Sequence, residues 1–162
     1  MDFENTGRAN RKRRIFLDTE TTGMSRATDR IVEVCAIEVD DDFNEIDSFH
    51  AFINPQRKVP WFVTRIHGLN NEFLDDKPID AGMLNAEFAR NRLPTLEKVD
   101  CRLNCTLQLA RSTFPGQKNS LDALLDRFAI DRSERRLHGA MIDTRLLVKV
   151  YQNLVSYRTK TS

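Results

Sequence analysis

Asp18 and Glu20 stand two residues apart at the end of the apolar run Ile15-Phe16-Leu17. In a strand, residues i and i+2 point to one face, so these two carboxylates project together. Adjacent carboxylates repel and raise each other's pKa unless a cation lies between them. The pair is therefore either a cation-binding site or a strand end where acids meet water. A second candidate pair, His138 and Asp143, lies near the other end of the chain. Asp143 falls on the helix face that carries Leu146, Leu147 and Val150. An ionised carboxylate there is costly unless it is paired or holds a metal, although an acid in a first helical turn also answers the helix dipole. His138, in a loop beside Gly139, has the titration range of a proton carrier and is otherwise a surface histidine. Asp80 shares a helical face with Met83, Leu84 and Glu87; following Pro78-Ile79, it also reads as a helix N-cap.

The elements that must position these groups follow from periodicity. Ile15-Phe16-Leu17 opens a strand that Thr21-Thr22-Gly23 ends, and the β-branched run Ile31 to Val39 is a second. Asp40-Asp41-Asp42-Phe43-Asn44 is a turn, and Glu45 to Ile53 alternates as a third strand before Asn54-Pro55. Short connections make the three an antiparallel meander. Further on the period changes. Leu121, Leu124, Leu125 and Phe128 follow Asn119-Ser120 as an amphipathic helix follows its cap. Ile142, Leu146, Val150 and Leu154 mark a last helix to about Tyr157, and Met83, Leu84 and Phe88 mark another from about Asp80 to Arg92. With a short strand near Val99, strands first and helices after read as an α/β layered fold.

Composition narrows the class. The 162 residues hold 25 Lys+Arg against 24 Asp+Glu, with 40% hydrophobic residues. This is one globular domain, too apolar for a disordered chain. A net charge of +1 gives no overall pull toward a polyanion, so such a partner must be met by a local patch. No apolar run approaches the ~20 residues of a membrane span, and three cysteines fit a reducing compartment, so the expected location is cytoplasmic with no membrane partner. Residues 1–14 read as a basic flexible tail and 15–157 as the folded domain. Arg132, Arg135 and Arg136, just before His138, are placed either to hold phosphates or to lie in a solvated loop.

Taken together, the motifs resemble a known family. Phe16-Leu17-Asp18-Thr19-Glu20-Thr21-Thr22-Gly23-Met24 is similar to the first exonuclease motif of the DEDDh 3′–5′ exonucleases. Ile66-His67-Gly68-Leu69 resembles their His-Gly segment, and Phe114-Pro115-Gly116 through Leu124 the stretch before the third motif. Leu137-His138-Gly139-Ala140-Met141-Ile142-Asp143 resembles that third motif, and Asp80 with the helix after it resembles the second. Within the superfamily the chain is most like the proofreading epsilon subunits of bacterial DNA polymerase III. It departs in one place. Relatives carry a helix and a strand between the His-Gly segment and the second-motif aspartate, whereas here only residues 70–79, Pro78 among them, fill that interval. A crossover needs at least ~10–12 residues by itself. The expected fold is a ribonuclease H-like exonuclease fold, a mixed sheet flanked by helices, lacking one helix and one strand. Cys105 also stands where relatives commonly carry an aspartate.

The resemblance implies that Asp18, Glu20, Asp80 and Asp143 hold two divalent cations, Mg²⁺ or Mn²⁺, and that His138 is the general base for the attacking water. It implies substrate contacts from Thr19, Thr22, Gly23 and His67, a DNA 3′ end as substrate, and 5′-mononucleotides as products. It also implies a polymerase III catalytic subunit as partner, an association expected to be weakened because residues 156–162 are short for a docking tail. Two other readings stay open. One is a catalytically impaired module that binds nucleic acid or polymerase; the other is an RNase of the same superfamily, because the motif does not read the sugar.

Overall fold

A computed structural model describes residues 14–25, 28–77 and 104–161. Asp80, the helix expected from it and the strand expected near Val99 lie outside the described residues, as does the basic tail up to residue 13. Arg14, assigned to the tail from sequence, is already paired with Val39 in the sheet.

Three strands, β1 (Arg14–Thr21), β2 (Ile31–Val39) and β3 (Glu45–Phe52), form an antiparallel sheet in the order β1-β2-β3. The meander is as the short connections predict; of the expected mixed sheet, the described residues supply the antiparallel part. β2 is central because it is the most apolar: Val32, Val34, Cys35, Ile37 and Val39 are all buried. The hairpin from β2 to β3 is set by Asp40, whose carboxylate accepts from the backbone N–H groups of Asp42 and Asn44 at 2.9 and 2.8 Å, while Phe43 takes φ 66°.

The helices are α1 (Trp61–His67), α2 (Asn71–Asp75), α3 (Thr106–Thr113), α4 (Leu121–Arg127) and α5 (Ala140–Thr161). Ser120 caps α4 by accepting from the Ala123 N–H at 3.3 Å, as its position before the apolar period requires. α1 stops at Gly68, whose φ of 81° closes the helix with an N–H bond to the Thr64 carbonyl at 2.7 Å. Periodicity does not announce α3: Leu107 and Leu109 are two apart, and the residue it buries fully is Ala110. The last helix runs past Tyr157 to Thr161, because no Gly or Pro stops it and Arg158 and Lys160 suit its C-terminal turn. Residues 158–161, placed beyond the last helix from sequence, are therefore helix.

α5 is buried on two sides. Leu146, Val150 and Leu154 pack with Ala110, Phe114, Leu124 and Leu125 of the helical layer. Ala140 and Val148 pack with Phe16, Cys35, Ile37 and Val39 of the sheet, where Tyr151 meets the Phe16 ring edge-on at 5.3 Å. Fully burying each such Leu or Val contributes roughly 1.5–3 kcal/mol. A third cluster of Val32, Val59, Val63 and Leu74 seats α1 and α2 at the far end of β2. Among the described residues no helix is long and apolar enough to cross a membrane.

Candidate active site

The packing of α5 on the sheet decides which face of β1 carries the site. Phe16 pairs with Ile37 and Asp18 with Cys35, and Ile37 and Cys35 face α5. Strand alternation therefore turns Asp18 and Glu20 toward the helix as well. Asp143 enters from the first turn of α5, 4% exposed, its N–H bonded to the Gly139 carbonyl at 2.9 Å. His138 precedes that turn, held by a backbone N–H bond to the Ile66 carbonyl of α1 at 3.0 Å. Donor atoms of Glu20, His138 and Asp143 lie within 4.8 Å of one another. Two of the four acids read from sequence, and the histidine, thus converge from β1, α5 and one loop; Asp18 shares their face of β1 and feels the Asp143 charge, and the fourth, Asp80, is outside the described residues.

The electrostatics are those of a carboxylate cluster short of positive charge. Asp18 is pushed up to about 6, chiefly by burial, then by Asp143 and Glu33, against the lowering effect of the Thr19 backbone bond. Glu20 is pushed up to about 7 by burial and by the negative charges of Asp18, Asp143 and Glu33. Oxygen donors this close, held at a cost to their ionisation, suit hard divalent cations. The donor set therefore fits the metal role that the motif resemblance implies.

Two residues have a place in the site that the sequence reading did not give them. Glu33 pairs with Glu20 across β1 and β2, 4% exposed, and its Oε1 lies 2.7 Å from His50 Nε2. Its signal was a glutamate inside a buried apolar strand, but only the register puts it opposite Glu20. The other is Arg135. From sequence it is a candidate phosphate contact, yet its side chain is 7% exposed and turned inward. It grips both Asp143 oxygens through Nε and Nη2, with Nη2 2.8 Å from Oδ2. Nη2 also lies 2.8 Å from His138 Nδ1, and Nη1 reaches Asp122 at 2.5 Å. Arg132 is likewise engaged, with Asp122 and Asp126 at 2.8 and 2.9 Å. Of the three loop arginines, this leaves Arg136 exposed for a phosphate.

The residues expected at the substrate lie in or just after β1 and at the end of α1. Thr19 pairs with Val34 and points away from the acids by alternation. Thr22 is 1% exposed; its hydroxyl donates to Asp29 at 2.9 Å and accepts from the Arg30 N–H at 3.1 Å, so it holds the turn together. Gly23 ends that turn, where a Cβ would come within 2.5 Å of the Asp29 carboxylate. His67 is 5% exposed, and its Nδ1 accepts from the Leu69 N–H at 3.1 Å. Burial, with His138 adding to it, holds its pKa below the usual histidine range.

Comparison with known proteins shows what the chain is similar to. The exonuclease family model, RNase_T, matches residues 15–79 and 76–151. The chain is 41% identical to the DNA polymerase III subunit epsilon of Rickettsia conorii, over 90% of this chain and 75% of that one. It is 36% identical to the subunit of Buchnera aphidicola, over 88% and 72%, and 34% identical to that of Salmonella typhimurium, over 91% and 73%. The Rickettsia conorii match spans 172 aligned positions, more than the 162 residues of the whole chain, so the relative carries residues that this chain lacks. The two segments of the family match meet at residues 76–79, where the sequence places the shortening before Asp80. Among solved structures, exonuclease X in complex with 5′ overhanging duplex DNA is similar at TM-score 0.66 and 25% identity, over 88% of this chain and 90% of that one. The nuclease domain of 3′hExo, a DEDDh family member, shares the fold at TM-score 0.68 and 12% identity, over 91% and 94%.

Proposed function

We propose that this chain, which belongs to the exonuclease family and within it to the DNA polymerase III epsilon subunits, removes 5′-mononucleotides one at a time from DNA 3′ ends as a proofreading exonuclease. The observation that carries the reading is the convergence of Glu20, Asp143 and His138, with Asp18 on the same face of β1 and close enough to feel the Asp143 charge. Asp18, Glu20 and Asp143 are assigned as ligands of two Mg²⁺ or Mn²⁺ ions, and Asp80 as the fourth ligand on its sequence match. When bound, such ions supply Lewis-acid stabilisation to the attacking and leaving oxygens of an in-line displacement.

The chain's own residues supply the rest. His138 is the general base. Its Nδ1 edge lies 2.8 Å from Arg135 Nη2 and 3.3 Å from Asp143 Oδ2, contacts that orient the ring. The 3′ terminal nucleotide is assigned to the end of β1. There the Thr22–Asp29 bond and the close approach at Gly23 hold the backbone in shape, and the backbone of Thr19 and Gly23, rather than the Thr19 side chain, is assigned as its contact. His67, at the end of α1, supports the helix whose Ile66 carbonyl fixes His138. The proposed macromolecular partner is the polymerase III catalytic subunit.

The test is release of mononucleotides from a 3′-labelled, mismatched primer with Mg²⁺ or Mn²⁺, beside Asp18→Ala and with an RNA strand in parallel. Release from DNA that Asp18→Ala abolishes is the expected result. Release from RNA alone would move the chain to the ribonucleases, and release unaffected by Asp18→Ala would remove the site from the reaction.

A further inference from the structure

Arg135 is the one described arginine with both a nearly buried guanidinium and bonds to the proposed site. A charge taken out of water at 7% exposure costs several kcal/mol unless each donor finds a partner. Here the donors do. Nε and Nη2 form a fork on Asp143, Nη2 also faces His138 Nδ1, and Nη1 reaches the Asp122 carboxylate in the first turn of α4. Asp122 is itself held from outside by Arg132 at 2.8 Å. The run Asp122–Arg135–Asp143/His138 thus connects the outer surface of α4 to the acids that face β1. The other acids in that space, Asp18, Glu20 and Glu33, come from the strands.

We propose that Arg135 is a positioning residue: anchored on Asp122, it fixes the plane of the Asp143 carboxylate and the direction of His138 Nδ1 as one unit, so that the site is built before a cation arrives. The fork explains why the residue is an arginine. A guanidinium meets two carboxylate oxygens and still has a donor for a third partner, whereas an ammonium is a single point charge on a flexible stem. Groups that orient metal ligands in this way set metal affinity as well as rate, by roughly 10- to 100-fold each. This inference rests on the metal reading of the site.

The experiment measures Mn²⁺ binding by electron paramagnetic resonance, at one pH, to the unaltered chain, Arg135→Lys and Arg135→Gln, with a thermal melt of each in EDTA. Both variants should bind Mn²⁺ roughly 10- to 100-fold more weakly, and lysine should not rescue. Affinity equal to that of the unaltered chain in Arg135→Lys would overturn the positioning role, as would tighter binding in either variant, which would make Arg135 a competitor of the metal. Should both variants fail to melt cooperatively, Asp122→Ala decides. It leaves the Asp143 fork in place and removes its anchor, so it should weaken Mn²⁺ binding with its melt retained; unchanged affinity overturns the proposal. Absence of Mn²⁺ binding by the unaltered chain is a separate outcome, which removes the metal reading and this inference with it.

Discussion

Glu20 and Glu33 are register partners across β1 and β2, so two acids share one face of the sheet within reach of a third, Asp143 of α5. Like charges directly opposite in a sheet destabilise it. His50, on β3, contacts Glu33 at 2.7 Å. A metal-free protein should carry this repulsion as a stability cost that depends on pH.

The sign follows from the folded-state values. Asp18 and Glu20 are raised to about 6 and about 7, above their ordinary values. The folded chain therefore binds their protons more tightly than the unfolded chain does. Their stabilising contribution is full below the ordinary carboxylate range and is lost as pH rises through about 6 and 7. His67, whose pKa is lowered, works in the opposite direction below its ordinary value, so a variant isolates the acids. Asp18→Asn should melt near the unaltered chain at pH 4.5 and be more stable by about 1–2 kcal/mol at pH 7.5 in EDTA. An equal difference at both pH values, read by chemical denaturation, would show that the acid cluster is not repulsive.

Metal should reverse that cost. At pH 7.5 the unaltered chain should gain about 2.7 kcal/mol when Mn²⁺ is raised to a hundred times its dissociation constant, and Asp18→Asn should gain little. Melting curves with and without EDTA read the difference. An equal gain in both proteins would place the bound ion elsewhere.

Gly68 and Gly116 both have left-handed backbone, with φ of 81° and 74°. A Cβ on Gly68 would lie 2.9 Å from Leu137, the neighbour of His138, whereas one on Gly116 meets nothing within 4 Å. Alanine at either position should cost about 1–2 kcal/mol through the backbone alone. Gly68→Ala should also lower kcat by roughly tenfold or more by shifting His138, while Gly116→Ala leaves it unchanged. Equal kcat in the two variants would mean that Leu137 gives way without moving the histidine.

Leu125, fully buried, is part of the cluster that seats α5 against α4 and α3. Leu125→Ala should destabilise the fold by about 2–5 kcal/mol. A loss under 1 kcal/mol in urea unfolding would show that this layer does not hold the helix that carries Asp143.

Much of the protein was legible in its residues. Alternation and β-branching placed β2 at Ile31–Val39, Asp40 and its neighbours marked the turn, and Ser120 before Leu121, Leu124 and Leu125 marked α4, because these signals act within a few residues of themselves. The same locality made Asp18, Glu20, His138 and Asp143 recognisable as site candidates. Tertiary structure decided what those residues face. α5 carries two apolar faces because it is wedged between sheet and helices, and a single stripe could not foretell that. Glu33 joined the site through strand register, and Arg135 turned from a candidate phosphate contact into a clamp on Asp143 because a buried carboxylate needs a cation. Which charge answers which is settled by distance and burial, and both exist only once separated segments have packed together.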